Sequence, residues 1–173
     1  MSTSALSSNV FSMKSNILID KNRHARLADF GLLTIVSDPT YFSTSGSTPG
    51  GGTVQWMSPE LLHPEFFGFD YGHPTKESDC YALGMVIYEV LTGQSPFAPW
   101  KDHIVTIKVT NGERPERPEG IRGTWFTEGL WEMLSLCWET RAQDRPSIEA
   151  VRECVEHASS TWEPLPPQAS KEG

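Results

Sequence analysis

Between Asp79 and Thr92 ten of fourteen residues are apolar or aromatic, and they cover every face of a helix. That pattern predicts a helix buried all round. Ser78 is placed to cap it, and Asp79 falls in the first turn, where unpaired backbone N–H groups favour a carboxylate. Gly93 ends it and Pro96 follows. Residues 101–110 predict an amphipathic helix with Ile104, Ile107 and Lys108 on one side. Residues 125–139 carry Leu130, Met133, Leu134, Cys137 and Trp138 at helical spacing. Ser147 caps a final helix whose buried stripe is Ile148, Val151 and Val155. Pro59 to Leu62 suits a short helix.

Strand signal is confined to the first part of the chain. Ile17–Asp20 (ILID) is a short β-branched run, Lys21–His24 turns the chain, and Ala25–Ala28 (ARLA) supplies the second strand of a small hairpin. The remaining stretches are punctuated by Pro, Gly, Ser and Thr. Residues 34–53 read as a long mobile loop of the kind that is usually functional. Residues 63–74 form a Pro/Gly connection, and 113–120 (ERPERPEG) form a rigid, extended connector. The tail from Ser159 holds three prolines and no periodicity, so disorder is expected there. There is no internal repeat. The pattern is that of one mainly α domain with a minor hairpin near its start.

Composition narrows the function classes. The chain has 173 residues, and 14 Lys and Arg against 22 Asp and Glu give a net charge of −8. A pI near 5.1 argues against a nucleic-acid binder that relies on positive charge. The densest apolar run, Tyr81 to Leu91, contains Gly84 and Glu89 and is too short to span a membrane. The first ten residues lack a cationic segment followed by a long apolar one, so no secretory signal is read and a cytoplasmic location is expected. Cys80, Cys137 and Cys154 lie far apart with no C-x-x-C pair. They read as buried free thiols in a reducing compartment rather than a disulfide framework or zinc site. The five histidines show no metal-ligand spacing.

Four constellations carry chemistry. Asn16 stands just before the first hairpin strand, and Asp29-Phe30-Gly31 follows the second. Two oxygen donors so placed can converge on Mg²⁺, which takes a few protein oxygens together with phosphate oxygens. The second is Gly52-Thr53-Val54-Gln55-Trp56-Met57-Ser58-Pro59-Glu60. The third is Asp79-Cys80-Tyr81-Ala82-Leu83-Gly84, and the fourth is Arg145-Pro146-Ser147. In this order and spacing they resemble the C-terminal lobe of a eukaryotic protein kinase, from about residue 14 to about residue 157.

The resemblance implies a mainly α, protein-kinase-like C-terminal lobe with a small hairpin and a long activation-type loop. It divides the chain into a non-matching N-terminus (1–13), a partial kinase domain (14–157) and a disordered Pro-rich tail (158–173). It implies ATP and Mg²⁺ as cofactors, with Asp29 and Asn16 as the metal ligands and Phe30 and Gly31 completing the motif. Residues 31–57 match the activation segment, in which Thr53 in a G-T-x-x-W setting looks like Ser/Thr kinases. Ser58-Pro59-Glu60 matches A-P-E, with Ser in place of Ala. Glu60 would pair with Arg145 in a buried ion pair, and Asp79 would accept backbone hydrogen bonds from the catalytic loop. Glu89 matches a position that contacts a basic substrate residue in some relatives; a packed or solvated Glu is the alternative. Trp56-Met57 and Cys137-Trp138 look like the tyrosine-kinase-like group.

The catalytic loop departs from the family pattern H-R-D-x-K-x-x-N. Aligned without a gap on Asn16, Phe11 stands in the place of the catalytic Asp and Met13 in that of the Lys. With a one-residue deletion Lys14 regains the Lys position and Ser12 takes that of the Asp. Neither alignment supplies a carboxylate, and losing a positioned base costs about 10²- to 10⁴-fold. No Gly-rich phosphate loop or small lobe precedes residue 14. The expectation is therefore an N-terminally truncated kinase domain that binds ATP weakly and transfers phosphate poorly or not at all. An inactive interaction module binding a partner kinase or substrate through residues 101–110 and the activation segment is the alternative, as is a shortened gene product. Ser and Thr at 37–48 are candidate phosphorylation sites. An exposed apolar face near Ile17, Leu18 and Phe30 would favour self-association.

Overall fold

The computed structural model describes residues 17–27, 54–72 and 74–162. Its elements in chain order are β1 (Ile17–Ile19), β2 (Ala25–Leu27), α1 (Pro59–Leu62), α2 (Lys76–Thr92), α3 (Asp102–Thr110), α4 (Gly120–Gly123), α5 (Glu128–Cys137) and α6 (Ile148–Thr161), with short 3-10 turns at Val54–Trp56, Pro64–Phe67 and Ala142–Asp144. The domain is mostly helical with one two-stranded antiparallel sheet, as the residue pattern predicts. The loop at 34–53, Lys14, Asn16, Asp29, Phe30, Gly31 and Thr53 lie outside the described residues.

The hairpin pairs Ile17 with Leu27 and Ile19 with Ala25. Asp20 organises its turn. One carboxylate oxygen accepts from the N–H of Asn22 at 2.8 Å and of His24 at 3.0 Å, and the other accepts from Arg26 Nε at 2.9 Å. Those bonds, the one from His24 foremost, hold the Asp20 carboxyl below its ordinary value.

Helix α2 is the axis of the core. It packs against α5 and against the turns at 54–56 and 142–144, while α6 packs on α5 and α3 packs on α1 and on 54–56. Its Cys80, Tyr81, Met85 and Val86 join Val54, Trp56, Val105, Val109, Phe126, Leu134, Cys137, Trp138 and Val151 in one buried cluster. Gly84 lies where α2 passes tightly against the end of α5. A Cβ there would lie 2.7 Å from Trp138 Nε1 and 2.9 Å from Cys137 Cβ. Cys80 and Cys137 are buried free thiols, and Cys154 is half-buried. A hydrogen bond between the first two lowers the Cys80 thiol and raises that of Cys137.

Four expectations need correction. Thr75, not Ser78, caps α2. Its hydroxyl accepts from Ser78 N at 3.1 Å while Ser78 Oγ accepts from Thr75 N at 2.8 Å. That reciprocal box starts the helix three residues earlier than the pattern places it. The buried stripe of α3 is Val105 and Val109, and Ile107 is 55% exposed, because α1 and the 54–56 turn cover the valine side. Ile148 is exposed, so Val151 and the half-buried Val155 carry the inner face of α6. Finally, α6 continues through Ser159 to Thr161. The hydroxyls of Ser160 and Thr161 donate to the carbonyl of His157, and Trp162 stacks on Trp125 at 5.0 Å. The stack gives the last turn a partner the sequence pattern did not reveal.

Candidate functional site

Ser58, the N-cap of α1, precedes Pro59 at its first turn. Proline fits there because the N–H it lacks has no helical partner at that position. Glu60 follows and is turned inward, 7% exposed. Arg145 reaches it across 85 positions of sequence: Nη1 donates to Oε1 and Nη2 to Oε2, both at 2.7 Å. The rest of the guanidinium is consumed as well. Nε donates to the Glu139 carbonyl at 2.9 Å and Nη1 to that of Glu77 at 3.0 Å. Burial is the largest single influence and acts to raise the Glu60 carboxyl, but the bonds and charge of Arg145 together with Glu60's own backbone N–H hold the group below its ordinary value. One side chain thus ties α1, the start of α2 and the chain ahead of α6 together.

The segment before α1 has a second anchor. The indole of Trp56 donates to Glu89 Oε2 at 3.2 Å inside the core. Glu89 is 2% exposed. Of the two readings of this residue, the packed one describes its surroundings here. Ser58 Oγ is buried and has no hydrogen-bond partner among the described residues.

Asp79 lies in the first turn of α2 and is exposed as a residue. Partial burial raises its carboxyl. The catalytic-loop positions it was expected to meet lie outside the described residues. Tyr81, two residues on, is fully buried, and burial pushes its hydroxyl up to about 12. The guanidiniums of Arg145 and Arg114 lie 5.2 and 5.5 Å from its ring, within range of a cation–π attraction.

Arg114 was not legible as a site residue. It sits in the ERPERPEG connector and donates to the carbonyls of Trp138 (2.6 Å) and Val109 (3.0 Å) and to Thr140 Oγ1 (2.9 Å). Arg117 repeats the device on Phe126 O and Glu128. The repeated Arg-Pro pair was the available signal.

The hairpin register sets the start of β1 beside the end of β2, Ile17 against Leu27. Among the described residues no group of three or more His, Cys, Asp or Glu could hold a metal. Two cavities of the described surface lie elsewhere. An apolar one of about 320 Å³ lies between α2, α5 and α6, and a polar one of about 250 Å³ lies beside Tyr88, Trp100 and Lys108. Neither is lined by Ser58, Glu60, Asp79 or Arg145.

The family model described as protein tyrosine and serine/threonine kinase matches residues 13–155. The chain belongs to the protein kinase family. Rat receptor-interacting serine/threonine-protein kinase 3 is 36% identical over 139 residues, which cover 78% of this chain and 28% of that protein. Serine/threonine-protein kinase mos of Patiria pectinifera is 32% identical over 158 residues, 88% of this chain and 41% of the relative. Tyrosine-protein kinase Abl of Drosophila melanogaster is 29% identical over 143 residues, 82% of this chain and 8% of the relative. The chain therefore spans less than half the length of these kinases, and they include both Ser/Thr and Tyr enzymes. No helix among the described residues is long and apolar enough to cross a membrane.

Proposed function

We propose that the chain is the larger-lobe part of a kinase domain whose activity is transfer of the ATP γ-phosphoryl group to Ser or Thr of a protein. Asn16 and Asp29 would hold Mg²⁺, which would supply positive charge to the nucleotide phosphates, and Lys14 would take the position of the family's catalytic-loop Lys. The family match over 13–155 supports this reading. The observation that carries it is the buried Glu60–Arg145 pair, which seats the segment ending in Ser58-Pro59-Glu60 on α2, where the resemblance places the end of an activation segment. The hairpin register is compatible with two donors that meet at one end of the sheet.

The chain carries Phe11 or Ser12 where the family has its catalytic Asp. Positioning and electrostatic stabilisation dominate phosphoryl transfer, so we read the chain by itself as inactive or nearly so, with weak binding of Mg·ATP. The test incubates the purified chain with radiolabelled ATP, Mg²⁺ and a generic protein substrate, beside its Asp29→Ala variant. Incorporation equal in the two is expected. Incorporation above the variant overturns the inactive reading and, if on Ser/Thr, supports the active one. A fluorescent ATP analogue that binds with Mg²⁺ and is lost in Asp29→Ala supports the metal assignment; binding indifferent to Mg²⁺ and to Asp29 sinks it.

A second reading, an interaction module that engages a partner kinase or substrate through residues 101–110 and the activation segment, is favoured by the exposure of Ile107 (55%) and of Trp100 (50%) just before α3. Leu18 and Ile19 are also exposed, 53% and 66%, which favours self-association through the hairpin face. We place the protein in the cytoplasm.

A further inference from the structure

The connection between α1 and α2 presents three aromatic side chains to solvent: Phe66 is 72%, Phe69 54% and Tyr71 39% exposed. They stand on ordered backbone. The 3-10 turn at Pro64–Phe67 is closed by Gly68 in the left-handed conformation at φ 79°. Gly68 N donates to the Glu65 carbonyl and Phe69 N to that of Pro64, both at 3.1 Å. Phe66 is braced edge-on by His63 and Phe67, with ring centroids at 6.2 and 5.6 Å. At the far end Gly72 lies so close to Leu61 that a Cβ would fall 3.2 Å from its Cα.

Charge singles the patch out further. Glu65 and Asp70 are both exposed and alternate with these rings along the chain; His63 Nδ1 stands 3.9 Å from Glu65 Oε2, and no Lys or Arg occurs from Val54 to Thr75. Apolar side chains clustered at the surface mark contact sites more often than single ones do. Rings flanked by carboxylates select cations, because a Lys or Arg can lie over a ring face while an acidic group neutralises it. We propose that His63–Tyr71 is a docking surface for a basic segment of a partner protein, one that alternates Lys or Arg with apolar residues. A second copy of the chain is disfavoured, since a two-fold contact here would set Glu65 and Asp70 against their own counterparts. An anionic membrane is disfavoured by the same carboxylates. The proposal stands whether or not the chain handles ATP.

The test uses the full chain and fluorescence anisotropy of a labelled peptide alternating Arg and Leu, beside a counterpart with Glu for Arg. The chain is expected to bind the basic peptide, more weakly as salt rises, and not the acidic one. Phe66→Ser with Phe69→Ser, and separately Glu65→Lys with Asp70→Lys, should each weaken binding by about tenfold or more, as for anchor residues, with circular dichroism and thermal midpoint unchanged. Binding equal in wild type and both variants, equal affinity for the acidic peptide, or no binding of the basic peptide overturns the proposal. So does a sedimentation dimer, or association with lipid vesicles, that the double Phe variant abolishes, since the occupant is then a second copy or a bilayer.

Discussion

The Glu60–Arg145 pair shows how a single charged contact can be decisive without being a net source of stability. Both groups are taken out of water, which costs each of them several kcal/mol before they meet. What the pair secures is geometry: four N–H groups of one arginine are committed to a carboxylate and to carbonyls on separate segments. Arg145→Ala should therefore cost about 3–5 kcal/mol, because it strands a buried carboxylate. Glu60→Leu combined with Arg145→Met should recover much of that loss in urea unfolding. The pH dependence has a defined sign. The native Glu60 carboxyl titrates below its unfolded value of 4.5, so its contribution is complete above pH 4.5 and is lost as pH falls through the lower native value. Stability measured from neutral pH downwards should fall more steeply in wild type than in Glu60→Gln over that window; parallel curves would contradict the assignment. Gly84 makes a complementary case. Ala there gains up to about 1 kcal/mol of helix propensity but drives a methyl into Trp138 and Cys137. Overpacking costs about 1–3 kcal/mol, so Gly84→Ala is expected to destabilise.

At the scale of elements, periodicity and capping carried most of the information. Helix α5 announces itself through Leu130, Leu134 and Cys137, and α6 through Ser147, whose hydroxyl accepts from Ala150 N at 3.2 Å. What stayed hidden depends on partners remote in sequence. Ile107 and Val105 are both apolar, and only the position of α1 and the 54–56 turn decides which side of α3 is buried. Arg114 and Arg117 bond to carbonyls of later segments, and the repeated Arg-Pro pair does not say which segments those are. Glu60 and Arg145 were paired through the family resemblance alone, since nothing in either neighbourhood points across 85 positions. The end of α6 is a further example. Trp162 on Trp125 gives helical order to a Ser/Thr-rich turn that propensity alone would leave frayed. Trp162→Ala should raise amide exchange at Ser159–Thr161 while leaving Val151 protected; unchanged exchange at 159–161 would show that the stack is incidental.

Over the whole molecule, stability is distributed unevenly around α2. The helix is ringed by α5, by the 54–56 and 142–144 turns and by Arg114 over the Tyr81 ring, so its amides cannot open without dismantling the core. The hairpin is different. Its strands have three residues each, and of Ile17, Leu18 and Ile19 only Ile17 packs against the core. A two-stranded sheet has little stability of its own, and Arg26 and Asp20 meet at a solvent-facing turn, where an ion pair contributes little. Chemistry proposed to begin at this hairpin would then work from a weakly held part of the described residues, the common situation for binding segments. Native-state hydrogen exchange measures this directly. Amides of Ile17–Ile19 and Ala25–Leu27 should exchange by local opening, with little dependence on denaturant. Those of Met85 and Val86 should exchange only through global unfolding, with the full denaturant slope. If Mg·ATP binds through Asn16 and Asp29, adding it should slow exchange in the hairpin selectively and leave Met85 and Val86 at the global rate, or slower by the binding energy alone. Equal protection of hairpin and α2 in the free chain would show instead that the hairpin is part of one cooperative unit with the core.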